Sequence, residues 1–115
     1  MIKVYGISNC NSVKKAFDWL TENNIKYEFH DYKKLGIDEA VLLKWVNAVG
    51  WEILVNRKGT TWKQLDATVQ SRITNAKTAI GLMMDKNSVI KRPVIDTGSN
   101  ILVGFDEPVY EKTFS

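Results

Sequence analysis

The residue with the clearest capacity for chemistry is Cys10, the only cysteine in the chain. It follows a short apolar strand that ends at Gly6 and a loop of small polar residues, and it precedes a predicted amphipathic helix. The first N–H groups of a helix have no internal partners and carry partial positive charge, so they favour a thiolate placed beside them. Lys14 and Lys15 add charge of the same sign. This setting predicts a reactive thiol, with a pKa below the ordinary value of about 8.5.

The alternative interpretation is that Cys10 is an inert residue that fills space in the core. Its position argues for reactivity, because loops at the carboxyl ends of strands often carry function in α/β proteins. On the residues of this loop alone, both interpretations stay open.

Composition limits the classes of protein to which the chain can belong. Its 115 residues suit one domain, and one cysteine with one histidine cannot supply the four ligands of a structural zinc site. There is no signal-peptide pattern and no apolar run of the about 20 residues that span a membrane. The net charge of +3 is spread over short basic pairs, without the long like-charged blocks of nucleic-acid-binding tails. We therefore expect a cytoplasmic protein with no metal site and no direct nucleic-acid or membrane partner.

The N-terminal part of the chain predicts a βαβ unit. After the first strand, the helix has Val13, Ala16, Phe17 and Leu20 on one face and ends at Asn23-Asn24. Alternating residues then predict a second strand over 27–32. Strands joined by such a helix are expected to be parallel.

The middle of the chain predicts helices. Asp38 is a candidate N-cap for a helix that ends at Gly50, whereas 33–36 and 51–58 are interpreted as loop and irregular segments. A short helix is expected to start at Gly59, with Thr61 and Gln64 at the spacing of a capping box. A longer helix is expected over 67–84. The apolar faces of the two longer helices comprise Leu42, Trp45, Val46 and Val49, and Val69, Ile73, Ala76, Ile80 and Met84.

The C-terminal part predicts an antiparallel hairpin followed by a helix. Val94-Ile95 and residues 101–105 have strand composition, and 96–100 have turn chemistry. Residues 109–114 are expected to form a closing helix. Pro93 precedes the hairpin, and base rates favour an ordinary trans bond there. The element order is βαβ, a helical middle and ββα.

Several separate motifs, in order over nearly the whole chain, resemble the arsenate reductase (ArsC)/Spx family, and within it the YffB branch. They are Val4-Tyr-Gly-Ile-Ser-Asn-Cys10, His30-Asp-Tyr32, Gly59-Thr-Thr-Trp62, Ile90-Lys-Arg-Pro93 and Val103-Gly-Phe105. The resemblance implies an α/β, thioredoxin-like fold with a mixed four-stranded sheet, in a single domain over 1–115 with a helical insertion at about 37–87. It also implies a cis proline at Pro93 that faces the reactive cysteine.

The resemblance further implies that Cys10 is the nucleophile and that Arg92 is its anion-binding partner. Arg57 lies close to the place of a second active-site arginine of the arsenate reductases. A third family arginine, expected near Val103-Gly104, is absent, which argues against arsenate because a small oxyanion needs several directed donors. Spx-type regulators usually carry a second cysteine where this chain has Val13, so an internal dithiol switch is excluded.

Three functions follow as hypotheses. The first is a thiol reductase that uses glutathione as co-substrate, with Asn9 and Asn11 as loop donors and with Lys14, Arg57 and Pro93 at the binding site. The alternative is a Spx-like regulator that binds RNA polymerase through its alpha subunit, and the third is arsenate reduction itself. For His30 we expect a structural or surface role, and for Trp51 and Trp62, which could also line the edge of a pocket, we expect packing in the core.

Overall fold

The computed structural model describes residues 1–115, which divide into two compact units. The first unit comprises Met1–His30 and Arg92–Ser115, and the second comprises Asp31–Lys91. The elements of the chain are, in order, β1 Ile2–Gly6, α1 Asn11–Glu22, β2 Tyr27–Asp31, α2 Tyr32–Leu35, α3 Glu39–Val49, α4 Trp51–Leu54, α5 Thr60–Lys63, α6 Ala67–Ser71, α7 Ala76–Asp85, a 3₁₀ turn Asn87–Val89, β3 Val94–Asp96, β4 Ile101–Val103 and α8 Glu107–Phe114. No helix is long and apolar enough to cross a membrane.

The sheet is mixed, with four strands in the order β2-β1-β3-β4. β1 and β3 pair antiparallel with Val4 opposite Ile95, and β3 pairs antiparallel with β4. Both of these residues are fully buried, so the core lies against the two central strands. The predicted hairpin is confirmed. Its second strand ends at Val103, two residues earlier than predicted, because Gly104 turns the chain with a positive φ of 80°.

Helices α1 and α8 contribute the rest of the first unit's core. Trp19 of α1 is buried against Tyr110 of α8, with ring centroids 5.4 Å apart. The predicted face of α1 included Phe17 but not Trp19. Phe17 is only half-buried and packs on Tyr27 and Phe29 of β2, at centroid distances of 5.0 and 4.9 Å. The α1 face is therefore broader than the predicted stripe.

Two segments of the second unit that were expected to be irregular begin with short helices. Residues 32–35 form α2, because the Asp31 carboxylate accepts the N–H groups of Lys33 and Lys34. Residues 51–54 form α4 after Gly50, whose φ of 90° suits glycine. Both loop interpretations were wrong over these residues, because a single turn of helix needs only a local cap and leaves no periodic pattern.

The predicted helix over 67–84 is two helices, α6 and α7. The break occurs at Asn75, whose side chain accepts the Thr78 N–H at 2.9 Å while the Thr78 hydroxyl accepts the Asn75 N–H at 3.2 Å. The capping box lies here; α5 has Gly59 as its N-cap and no side-chain cap. Met84 is 44% exposed and Met83 is fully buried, so the predicted face of α7 was shifted.

Candidate active site around Cys10

Cys10 occupies the N-cap position of α1, immediately after the loop that follows β1. Its backbone is extended, and its carbonyl accepts the first helical hydrogen bond, from the Lys14 N–H at 3.0 Å. The side chain is half-buried and forms no disulfide. The Cys10 side chain makes no capping hydrogen bond, and sulfur is a weak acceptor. The sulfur thus stands at the open N-terminal end of a twelve-residue helix.

Opposing influences act on the pKa of the Cys10 thiol, and the net result is a lowered pKa. Burial is the largest single influence and raises it. The Val13 N–H, the hydrogen bond from the Arg92 guanidinium, the Ser12 N–H and the charge of Arg92 act in the opposite direction. Together they outweigh burial and hold the pKa below its ordinary value, because each stabilises the thiolate.

Arg92 reaches the sulfur from the segment that enters β3. The Arg92–Pro93 peptide bond is cis, as the resemblance implied and against the trans bond that base rates favour. Pro93 is buried, and its carbonyl accepts the Gly104 N–H at 2.7 Å. The backbone next to Arg92 is therefore tied to the residue that follows β4, which fixes the point from which the guanidinium extends.

The loop side chains predicted to bind a ligand lie at the surface. Asn9, Asn11 and Lys14 are exposed, and Lys14 is not among the groups that lower the pKa of Cys10. The backbone N–H groups of Ser12 and Val13 have that effect instead. They are the second and third helical residues after an N-cap, so their positions could have been identified from the predicted helix start. The ligand contacts of Asn9, Asn11 and Lys14 stay predictions.

Arg57 belongs to the second unit, where two indole rings hold it. Its guanidinium carbon lies 5.5 Å from the ring centroid of Trp51 and 5.7 Å from that of Trp62. Both tryptophans are half-buried, so the expectation that they pack in the core was wrong. They restrict an exposed arginine by cation–π contact. The predicted part of Arg57 in ligand binding stays a prediction.

The remaining candidates do not add a metal centre. No group of three or more His, Cys, Asp or Glu side chains is placed to hold a metal ion. The ring of His30 lies 5.2 Å from that of Tyr5, in a tilted aromatic contact between neighbouring strands. This contact agrees with the structural role expected for His30.

Comparison with known proteins places these features in a family. The ArsC family model matches residues 5–113. The solved structure of the YffB protein is 40% identical, with each chain covered completely and a TM-score of 0.95. An arsenate reductase (ArsC) related protein from Brucella melitensis is 42% identical over 99% of this chain and 94% of its own, with a TM-score of 0.77. The global transcriptional regulator Spx of Streptococcus mutans is 23% identical, covering 93% of this chain and 78% of its own. The predicted family resemblance and the thioredoxin-like α/β fold are confirmed.

Proposed function

The chain belongs to the ArsC family, and we propose that it is a glutathione-dependent thiol oxidoreductase with Cys10 as its nucleophile. The observation that carries the proposal is the environment of the sulfur. Two backbone N–H groups and the guanidinium of Arg92 lower the pKa of the thiol despite its burial. Because the thiolate is the attacking species, a lowered pKa provides more of it at neutral pH.

The reaction that fits one cysteine has two exchanges. The Cys10 thiolate attacks the glutathione sulfur of a mixed disulfide between a substrate thiol and glutathione. The substrate leaves as a thiolate, takes a proton from water, and Cys10 becomes disulfide-bonded to glutathione. A second glutathione thiolate then attacks the glutathione sulfur of that adduct, which releases oxidised glutathione and restores the Cys10 thiolate. The substrate sulfur takes the electron pair of the broken S–S bond and is reduced from disulfide to thiol, the second glutathione is oxidised from thiol to disulfide, and the two glutathione units end as one disulfide.

A second glutathione must resolve the intermediate, since the chain contains no other cysteine. Arg92 suits both exchanges because its charge stabilises the attacking thiolate in the first and the departing Cys10 thiolate in the second. Glutathione also carries carboxylates, which a guanidinium recognises. Arg92 therefore acts on the nucleophile and favours an anionic partner.

Turnover of a glutathione mixed disulfide by the wild-type protein and by Cys10→Ser tests this proposal. We expect turnover that depends on glutathione, and complete loss in the variant because a serine hydroxyl cannot form the mixed disulfide. Mass spectrometry of the trapped wild-type protein should show one glutathione bound at Cys10. Unchanged turnover in Cys10→Ser, or a wild-type protein that accepts no glutathione, contradicts the proposal.

The likeness to Spx supports a second candidate, a regulator that binds RNA polymerase through its alpha subunit. Binding of the purified alpha subunit distinguishes it from the enzyme. The regulator is favoured if the wild-type protein and Cys10→Ser bind alike and no thiol turnover is detected. Arsenate reduction, the third hypothesis, is tested by supplying arsenate with glutathione and glutaredoxin. Consumption of arsenate in that assay would identify it as a substrate.

A further inference from the structure

Gly6, the last residue of β1, lies beside Val13 in the first turn of α1. A Cβ atom placed on Gly6 would lie 2.7 Å from Val13 Cγ2, whereas side chains essentially never come this close. Its next neighbours, Val13 Cγ1 at 3.6 Å and Phe29 at 3.8 Å, are at ordinary contact distances. Gly6 is not among the glycines with positive φ, so space rather than backbone conformation requires glycine at this position.

Val13 has little freedom to move away from such a Cβ atom. Its side chain is fully buried, and a β-branched residue in a helix has one strongly preferred χ1 rotamer. The contact would therefore move the backbone of the first turn of α1. That backbone carries the Val13 N–H, the strongest of the influences that favour the Cys10 thiolate.

We infer that Gly6 is a positioning residue for Cys10, because its missing side chain lets α1 sit where the Val13 N–H can donate to the thiolate sulfur. The inference concerns the thiolate itself and does not require glutathione to be the reaction partner. Arg92 is the charged side chain that acts on the sulfur, and it extends from the segment before β3. Gly6 thus acts from the α1 side of the sulfur, through Val13.

Alkylation rates measured against pH test this inference in four proteins: wild type, Gly6→Ala, Val13→Ala and the double variant Gly6→Ala/Val13→Ala. In Gly6→Ala we expect about a tenfold lower thiolate fraction at pH values below the thiol pKa, since a hydrogen bond to the charged sulfur is weakened. Val13→Ala keeps its backbone N–H, and its titration is the reference for the double variant. In the double variant, removal of the Val13 methyl groups makes room for the new Cβ, so the titration should return to that of Val13→Ala.

The Val13 amide resonance provides a second readout, which a purely structural role of Gly6 would not change. In ¹⁵N-labelled wild type this resonance should shift as Cys10 ionises, and in Gly6→Ala the shift should be smaller. A folded Gly6→Ala with wild-type thiol titration overturns the inference. If Gly6→Ala does not fold, the double variant decides: a folded protein with the Val13→Ala titration supports the inference, and a double variant that is unfolded or has lost its thiolate overturns it.

Discussion

The N-terminal ends of helices α1 and α7 differ in the atoms that accept hydrogen bonds from their backbone N–H groups. Both expose N–H groups that have no partner within the helix. At α7, Asn75 and Thr78 satisfy these groups reciprocally through side-chain oxygens. At α1 the N-cap is Cys10, whose side chain makes no capping hydrogen bond, and the N–H groups of Ser12 and Val13 favour its thiolate form.

The comparison shows how one backbone feature serves either stability or reactivity. An oxygen cap is present at every ordinary pH and contributes to folding. A sulfur in the same position receives the N–H groups chiefly when it is ionised, so they shift its protonation equilibrium. The identity of the capping atom, rather than the helix itself, makes the start of α1 a candidate reaction site.

The largest expected effect comes from removing Arg92, whose guanidinium stabilises the Cys10 thiolate in addition to the N–H groups of α1. The neutral oxygen cap of α7 requires no such charge. In Arg92→Gln we expect the alkylation rate of Cys10 below its pKa to fall by about tenfold or more, because both a hydrogen bond and an opposite charge are lost. The alkylation rate in Arg92→Lys should lie between those of Arg92→Gln and wild type, since lysine keeps the charge but not the planar guanidinium. Alkylation rates across a pH series measure the change.

Arg72→Gln is the matched control for Arg92→Gln. It removes the same charge from the exposed C-cap of α6, and Arg72 is not among the groups that lower the pKa of Cys10. The control should titrate as wild type does. An equal loss in both variants would mean that overall charge, not the guanidinium at the sulfur, sets the reactivity.

The next effect is at α7 and concerns stability alone. Asn75→Ala removes the oxygen cap and should lower the free energy of unfolding by about 1 kcal/mol. Asn75→Asp keeps an acceptor at the same place and should be close to wild type. Urea denaturation measures both variants, and Cys10 alkylation should be unchanged in each. A change in Cys10 reactivity in Asn75→Ala would contradict the prediction that the α7 cap affects stability alone.

Much of the fold could be predicted because long periodic segments and turn residues indicate their structure locally. Helix α1, the hairpin around Gly98 and α8 followed in this way. The break between α6 and α7 did not, because the apolar spacing continues across it although α6 ends at Ser71 and the reciprocal pair of Asn75 and Thr78 starts a new helix. The assignment of residues 1–115 to one domain stays a prediction.

For the candidate site, the sequence indicated the position of Cys10 better than it indicated the groups around the sulfur. Cys10 could be identified because a helix start after a strand and loop is visible in the sequence. Arg92 is distant in sequence, so its place beside the sulfur followed only from the resemblance and the fold. The role inferred for Gly6 depends on the small space that Val13 leaves beside it, where an added Cβ atom would lie 2.7 Å from Val13 Cγ2, and no composition or spacing shows this.

The smallest expected effect is the pH dependence of stability, which distinguishes the two caps most directly. Because the pKa of Cys10 is lowered in the folded protein, the unfolded chain binds more protons between that pKa and the ordinary pKa of a free thiol. The contribution of Cys10 to the free energy of unfolding should therefore rise with pH through this window, and it should be lost as pH falls through the folded pKa. Urea denaturation of wild type and Cys10→Ser across this window should give a difference that grows with pH. The difference between wild type and Asn75→Ala should stay constant over the same window, since Asn75 does not titrate. A constant difference for Cys10→Ser as well would mean that sulfur and oxygen serve these helix starts alike.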